Sequence, residues 1–433
     1  MSSTICLNMI VKNETKNLET LFESLHEVID YYVIHDTGST DGTPELIEKV
    51  MDNYGISGEI FHEEWKNFGY NRQKALESAY NSKFKPDYVF IIDADEEFYY
   101  ADKDWFKNLT MDTYNIKRIY GSIEYYQPVI LNVRNNNEIG WIWKAPVHNY
   151  LSSKNAKTVI NVDKNMVHIV SHCHGGAKSQ NVTSEQKYLR DAKLLLEYLE
   201  ENPNDPRSLF YLAQSYKDAS NPEEAIKWYK KRLTVKGWIQ EKYMSCYNIG
   251  NLLRKIGKKE EALYYYLLSY EYDNSRYECF YEMIKIHRNN GNKKLAYSLY
   301  KQLKPFKNNS GKLFLTTSVH DWKLDYEVGI IAFYSRAYQD GIDAFKRLFK
   351  CKTIKKYAIA SIFKNFGYYQ KFIKDSDYAE VNKLKQQFID FYFNPKKLIK
   401  QKISEQIKKE VEKELELKEE TQGIKLTVTE KIN

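Results

Sequence analysis

The chain has 433 residues, is 42% hydrophobic and 28% charged, and carries a formal charge of +7. At ~100–200 residues per domain this length predicts two or three domains, and the composition excludes wholesale disorder. So mild a charge suits an anionic small ligand such as a nucleotide, and no Lys/Arg block is dense enough to predict a nucleic-acid partner. No apolar run approaches the ~18–20 residues of a membrane span. The segment Met1 to Val11 lacks a basic leader, and Asn8 interrupts its apolar run, which argues against a secretory signal. Five scattered cysteines without a CxxC pair predict neither a disulfide framework nor a cysteine zinc site. A reducing, cytoplasmic location is the expectation.

Thr4–Val11 reads as a buried strand. Asn17–Ile29 sets Leu18, Leu21, Leu25, Val28 and Ile29 on one helical face. Tyr31–His35 is a second apolar run, closed by Asp36-Thr37-Gly38-Ser39-Thr40-Asp41-Gly42-Thr43. A helix over Pro44–Met51, a strand over Glu59–His62, a helix over Gly69–Ser82 and a strongly apolar strand over Asp87–Ile92 follow. Strands alternating with helices predict βαβ units and a mostly parallel sheet.

From Ser184 to about residue 350 the pattern turns helical and repeats. Leu212-Ala213-x2-Tyr216 with Ala225-x3-Tyr229 is one unit. Ile249-Gly250-x2-Leu253 with Ala262-x3-Tyr266 is the next, and Met283-Ile284-x2-His287 with Ala296-x3-Tyr300 is a third. The alanines are 37 and then 34 residues apart. This resembles the tetratricopeptide repeat, whose period is about 34. A weaker copy, Val328-Gly329 with Gly341-x3-Phe345, follows an insertion. Residues 351–394 read as a helical capping segment. Residues 395–433, with ten Lys and eight Glu, read as a solvated helix or a disordered tail.

The chemistry concentrates before residue 183. Asp93-Ala94-Asp95-Glu96-Glu97 ends an apolar strand, and open α/β sheets bind ligands beyond the carboxyl ends of their strands. Two carboxylates one residue apart suit a hard cation, Mn²⁺ or Mg²⁺, beside a diphosphate. Asp36 ends another strand and is placed to meet a nucleobase or ribose, with Asn13 and Glu14 on the same rim. Glycines after Asp36 allow a tight turn, and Thr43 or Asp41 is placed to cap the next helix.

Together Ile5–Glu14, His35–Thr43, Phe68–Leu76 and Ile92–Glu96 occur in the order found in family-two glycosyltransferases. The chain resembles that family over residues 4–180. The resemblance implies a GT-A fold: a Rossmann-like α/β nucleotide-binding domain at 1–183, followed here by all-α repeats at 184–350. It implies a nucleoside-diphosphate sugar donor and transfer with inversion to a glycan, protein or small-molecule acceptor. It places Asp36 on the donor base, Arg72 on the base or phosphates, Asp93 on the ribose or metal, and Asp95 on the metal.

Trp141-Ile142-Trp143-Lys144-Ala145-Pro146-Val147-His148-Asn149 resembles the family's tryptophan segment ending in Val-His-Glu, which places His148 at the donor. Asn149 stands where the family has an acid, and an amide cannot take a proton near neutral pH. The tryptophans, two apart on a strand, either stack on a sugar or fill the core. His168, His172 and His174 share a strand face. The resemblance makes His172 or His174 the histidine that contacts metal or diphosphate. Glu96 and Glu97 lie near the rim, but nothing selects either as general base. The repeats predict a homo-oligomer or a protein partner. The alternative to an enzyme is a repeat-based binding module carrying a degenerate transferase domain. A nucleotidyltransferase would need a Gly-rich loop at the first strand, and Thr4–Glu14 has no glycine.

Overall fold

The computed structural model describes residues 2–121, 123–134, 136–172, 183–304 and 312–394. The chain divides into two units, up to Trp238 and from Ile239 onward. The helices up to Trp238 fall in the same unit as the sheet. The charged segment 395–433 lies outside the described residues.

The first unit begins β1 (Ile5–Val11), α1 (Leu18–Leu25), β2 (Tyr31–Asp36), α2 (Thr43–Asn53), β3 (Ser57–His62), α3 (Phe68–Asn81) and β4 (Tyr88–Ile91). Each lies within two residues of the span that periodicity predicts, except α1, which ends at Leu25. There follow β5 (Glu96–Tyr100), β6 (Thr113–Tyr120), β7 (Ile123–Asn132), α4 (Asn136–Ile139), β8 (Trp141–Lys144), β9 (Tyr150–Ser153), β10 (Val159–Asn161) and β11 (Val167–Ser171). Nine strands form one sheet in the order β3-β2-β1-β4-β7-β6-β11-β5, with β10 beside β6. The first four are parallel, whereas β7 pairs antiparallel with β4 and β6.

Strand β1 shows why the sheet is covered on both faces. Ile5, Leu7, Met9 and Val11 point to one side and pack with Leu18, Phe22 and Ile47 of the first two helices. Cys6 points to the other and packs with Leu76 and Ala79 of α3. Asn8, on that second face, is buried yet satisfied: its Nδ2 donates to the carbonyls of Val33 and Ala75, both at 2.9 Å. The residue that interrupts the apolar run thus pins α3 to the sheet. The β8–β9 hairpin covers the same face through Trp141 and Trp143.

Helices α5 (Ser184–Glu201), α6 (Pro206–Asp218) and α7 (Pro222–Thr234) complete the first unit. The second comprises α8 (Ile239–Lys255), α9 (Lys259–Tyr272), α10 (Glu278–Asn289), α11 (Lys293–Lys301), α12 (Leu324–Tyr334), α13 (Tyr338–Lys350), α14 (Lys356–Gly367) and α15 (Asp375–Phe393). Here the small-residue pattern has a direct cause. A Cβ at Gly250 would lie 2.7 Å from the Tyr266 ring, and one at Gly329 would lie 2.8 Å from the Phe345 ring. Paired helices come this close only because one side presents no side chain. No helix of the described residues is long and apolar enough to cross a membrane.

Candidate active site

Strand β1 connects to β2 and β3 on one side, then the chain crosses to β4 on the other. The carboxyl ends of β1 and β4 therefore meet at a topological switch point, where open α/β sheets bind ligands. A small cleft opens there, lined by Ile10, Arg72, Ile92, Asp93 and Trp143 among others. Asp36 ends β2 on the same rim, paired in register with Val11.

Asp36 is buried, and its carboxylate accepts the backbone N–H groups of Gly38 and Ser39 at 3.1–3.2 Å. His62 Nδ1 lies 3.4 Å away. Gly38, at φ 96°, supplies the left-handed conformation that the turn needs. Asn13, itself at φ 57°, clamps the two rim loops together. Its N–H donates to Ser39 Oγ at 2.9 Å, and its Oδ1 accepts from the Thr40 N–H at 2.8 Å. The Glu14 N–H donates to Thr43 Oγ1, and its carboxylate accepts from Asn17 at 2.7 Å. Neither capping candidate is the N-cap of α2, which is Gly42 without a side-chain bond; Asp41, one residue earlier, accepts from the Thr43 N–H and hydroxyl.

Arg72 reaches the cleft from the second turn of α3. Its guanidinium pairs with Asp93 Oδ1 at 2.5 Å and lies 5.1 Å over the Trp143 ring. Both tryptophans of β8 are buried and packed in the core, so the structure assigns them to packing rather than to an exposed sugar platform. Gly69 lets the Ala145 carbonyl approach α3 where any Cβ would collide.

The Asp93-Ala94-Asp95 turn is held from beneath. Glu96 is buried against Arg118, accepts the Ser171 hydroxyl at 2.6 Å, and accepts the Asp93 N–H at 3.0 Å. That engagement removes Glu96 as a base at the rim. Glu97, on the opposite strand face, meets His172 Nε2 at 3.0 Å. The His172 N–H donates to the Asp95 carbonyl at 3.0 Å, which brings the end of β11 beside the turn. The Asp95 carboxylate is partly exposed and forms no ion pair among the described residues. No group of three His, Cys, Asp or Glu side chains able to hold a metal is assembled among them.

His168 lies on the sheet, its Nδ1 2.9 Å from the Lys164 carbonyl oxygen and its ring stacked on Tyr99. His174 lies outside the described residues. His148 follows β8 at φ 49°, with its ring stacked on Tyr211 of α6 at 4.0 Å. Asn149 follows it.

Sequence reasoning missed Arg118, Ser171 and Asn71. Asn71 is buried and holds the approach to α3, its Oδ1 accepting from the Lys66 and Asn67 N–H groups. Arg118 had a visible signal: it continues the inward alternation of Tyr114 and Ile116 along β6, where a buried cation demands a buried acid.

The glycosyl transferase family 2 profile matches residues 6–178. Over those residues the chain resembles a family 2 glycosyltransferase domain. A tetratricopeptide repeat profile matches residues 194–227. Two curated relatives resemble the chain. The SPbeta prophage-derived glycosyltransferase SunS of Bacillus subtilis (strain 168) and glycosyltransferase SunS of Bacillus phage SPbeta are each 24% identical over 255 residues, covering 53% of both chains. The chain thus spans about half the length of the curated relatives it matches. Among solved structures, YrrB, a TPR protein with an unusual peptide-binding site, is 15% identical, with a TM-score of 0.33, covering 46% of this chain and 93% of its own. The C-terminal part of a TPR repeat-containing protein from Cytophaga hutchinsonii is 17% identical, with a TM-score of 0.33, covering 47% and 74%.

Proposed function

We propose that the chain is a metal-dependent glycosyltransferase that moves a sugar from a nucleoside-diphosphate sugar to an acceptor, with inversion. The observation that carries this reading is the acidic rim at the switch point: Asp36 beyond β2, Asp93 and Asp95 beyond β4, and Arg72 between them on α3. Asp36, with Asn13 and Glu14 shaping its loop, takes the nucleobase side. Arg72 and Asp93 take the ribose and phosphates, and His148 borders the donor.

A divalent cation, Mn²⁺ or Mg²⁺, would be held by the partly exposed Asp95 carboxylate, a hard oxygen donor, on the turn whose carbonyl accepts the His172 backbone N–H. It would neutralise the charge that develops on the leaving diphosphate. Arg72 adds a fixed positive charge on the same side. Of the two glutamates near the rim, Glu96 is buried against Arg118, and Glu97 is half-buried and meets His172 Nε2 at 3.0 Å. The acceptor is a glycan, protein or small molecule. The repeats serve as its docking surface or bind a second copy or a protein partner. Asn149 favours the second reading, a binding module with a degenerate transferase domain.

Thermal melts with a panel of nucleotide-sugars, with and without Mn²⁺, test the proposal. A donor at a hundred times its dissociation constant stabilises the fold by about 2.7 kcal/mol. No shift with any of them would favour the binding module.

A further inference from the structure

The loop after Trp143 is gripped from both sides. Toward the sheet, the Trp143 N–H donates to Gln73 Oε1 at 2.8 Å, and the Ala145 carbonyl abuts Gly69. Toward the helices, the Tyr198 hydroxyl of α5 lies near the Ala145 backbone. The Tyr150 hydroxyl donates to Asp205, the N-cap of α6, at 3.3 Å. Arg207 sits at the centre. Its Nε donates to the His148 carbonyl at 3.1 Å, and its guanidinium lies 5.2 Å from the Tyr150 ring and 5.0 Å from the Tyr211 ring. Tyr211 in turn stacks on His148 at an interplanar angle of 12°.

Between these grips the backbone is strained. Ala145 and His148 have φ of 67° and 49°. Left-handed conformation costs an L-residue about 1–2 kcal/mol, and it persists only where the surroundings enforce it. The enforcing groups on one side belong to the helical repeat.

We propose that Arg207 is a positioning residue of the donor cleft: from α6 it holds loop 145–149 against α3, and so keeps Trp143 beneath the Arg72 guanidinium. This rests on the reading of that cleft as the donor site. It assigns the first repeat a part in the active site itself. Arg207 touches neither donor nor reacting atoms and acts through the His148 carbonyl and the strand before it. Lysine cannot replace it well, because an ammonium lacks the planar face that lies against both rings.

The test uses the full chain and three variants, Arg207→Ala, Arg207→Lys and Tyr211→Leu, each checked for a cooperative melt. Hydrogen exchange is followed in 143–150 and in 68–76, and binding of uridine diphosphate and guanosine diphosphate is measured with Mn²⁺. The expected result is faster exchange in both segments for all three variants. For whichever nucleotide binds the unaltered chain, affinity falls about fivefold or more in Arg207→Ala, as for a lost charged hydrogen bond. Lysine restores little of it. In a double-mutant cycle with Arg72→Ala, the two losses are non-additive. Unchanged exchange in 68–76, or additive losses, would overturn the proposal. If neither nucleotide binds the unaltered chain, the donor reading fails, and exchange alone decides whether Arg207 orders the loop.

Discussion

The Glu96 carboxylate accepts the Asp93 N–H at 3.0 Å while its other oxygen is held by Arg118 and Ser171. The acid that looks like part of the rim is the buried footing of the rim. Breaking a buried pair leaves an uncompensated charge and costs about 3–5 kcal/mol. Arg118→Met should lower stability by that amount in urea unfolding at neutral pH. Arg118→Met combined with Glu96→Leu should recover most of the stability but not nucleotide binding, because the turn has lost its hold. A double variant that binds normally would show that the footing is dispensable.

Asp36 spends its carboxylate on its own loop, and a nucleobase would meet a pre-ordered acceptor. Asp36→Asn should weaken a nucleoside and its diphosphate by the same factor, about tenfold for a lost charge-assisted hydrogen bond. Calorimetry with the two ligands reads this directly. Weakening of the diphosphate alone would move Asp36 to the metal side.

His35, buried beside Asp36, has its Nε2 3.0 Å from Ser78 Oγ. Burial, with the Lys74 charge in support, pushes its pKa down to about 4. The unfolded chain takes up a proton below about 6.5 that the folded chain refuses. The stabilisation is therefore complete above pH 6.5 and disappears as the pH falls toward 4, by about 3 kcal/mol in all. His35→Gln should lack this step. Stability curves for the two proteins that stay parallel from pH 7 to 4 would refute it.

How much the sequence revealed follows from what each element answers to. Period-two and 3.6-residue patterns placed β1 to β4 and the first three helices, because each buries one face or both. The repeat motif was legible because Gly250 and Tyr266 must meet, and likewise Gly329 and Phe345. The rim aspartates were visible as strand-end acids. The roles of Glu96 and Arg118 were not, since their pairing joins strands separated in sequence by a loop and a turn. Nor was the seating of α6, which depends on Arg207 meeting a loop 59 residues earlier.

That seating changes where the chain can be cut. A fragment ending at Trp238 should melt cooperatively and keep nucleotide binding. One ending at residue 182 strips Tyr198, Arg207 and Tyr211 from loop 145–149, and should bind at least several-fold more weakly or fail to fold. Equal affinity in both would mean that the helices only decorate the domain.

The proposed function stands or falls on whether a cation at Asp95 holds the donor's diphosphate. Its most direct test is calorimetry of nucleoside diphosphates against the full chain with Mn²⁺, with EDTA, and in Asp95→Ala. The expected result is binding to the unaltered chain that EDTA abolishes and that Asp95→Ala nearly eliminates. Equal affinity in all three would contradict it.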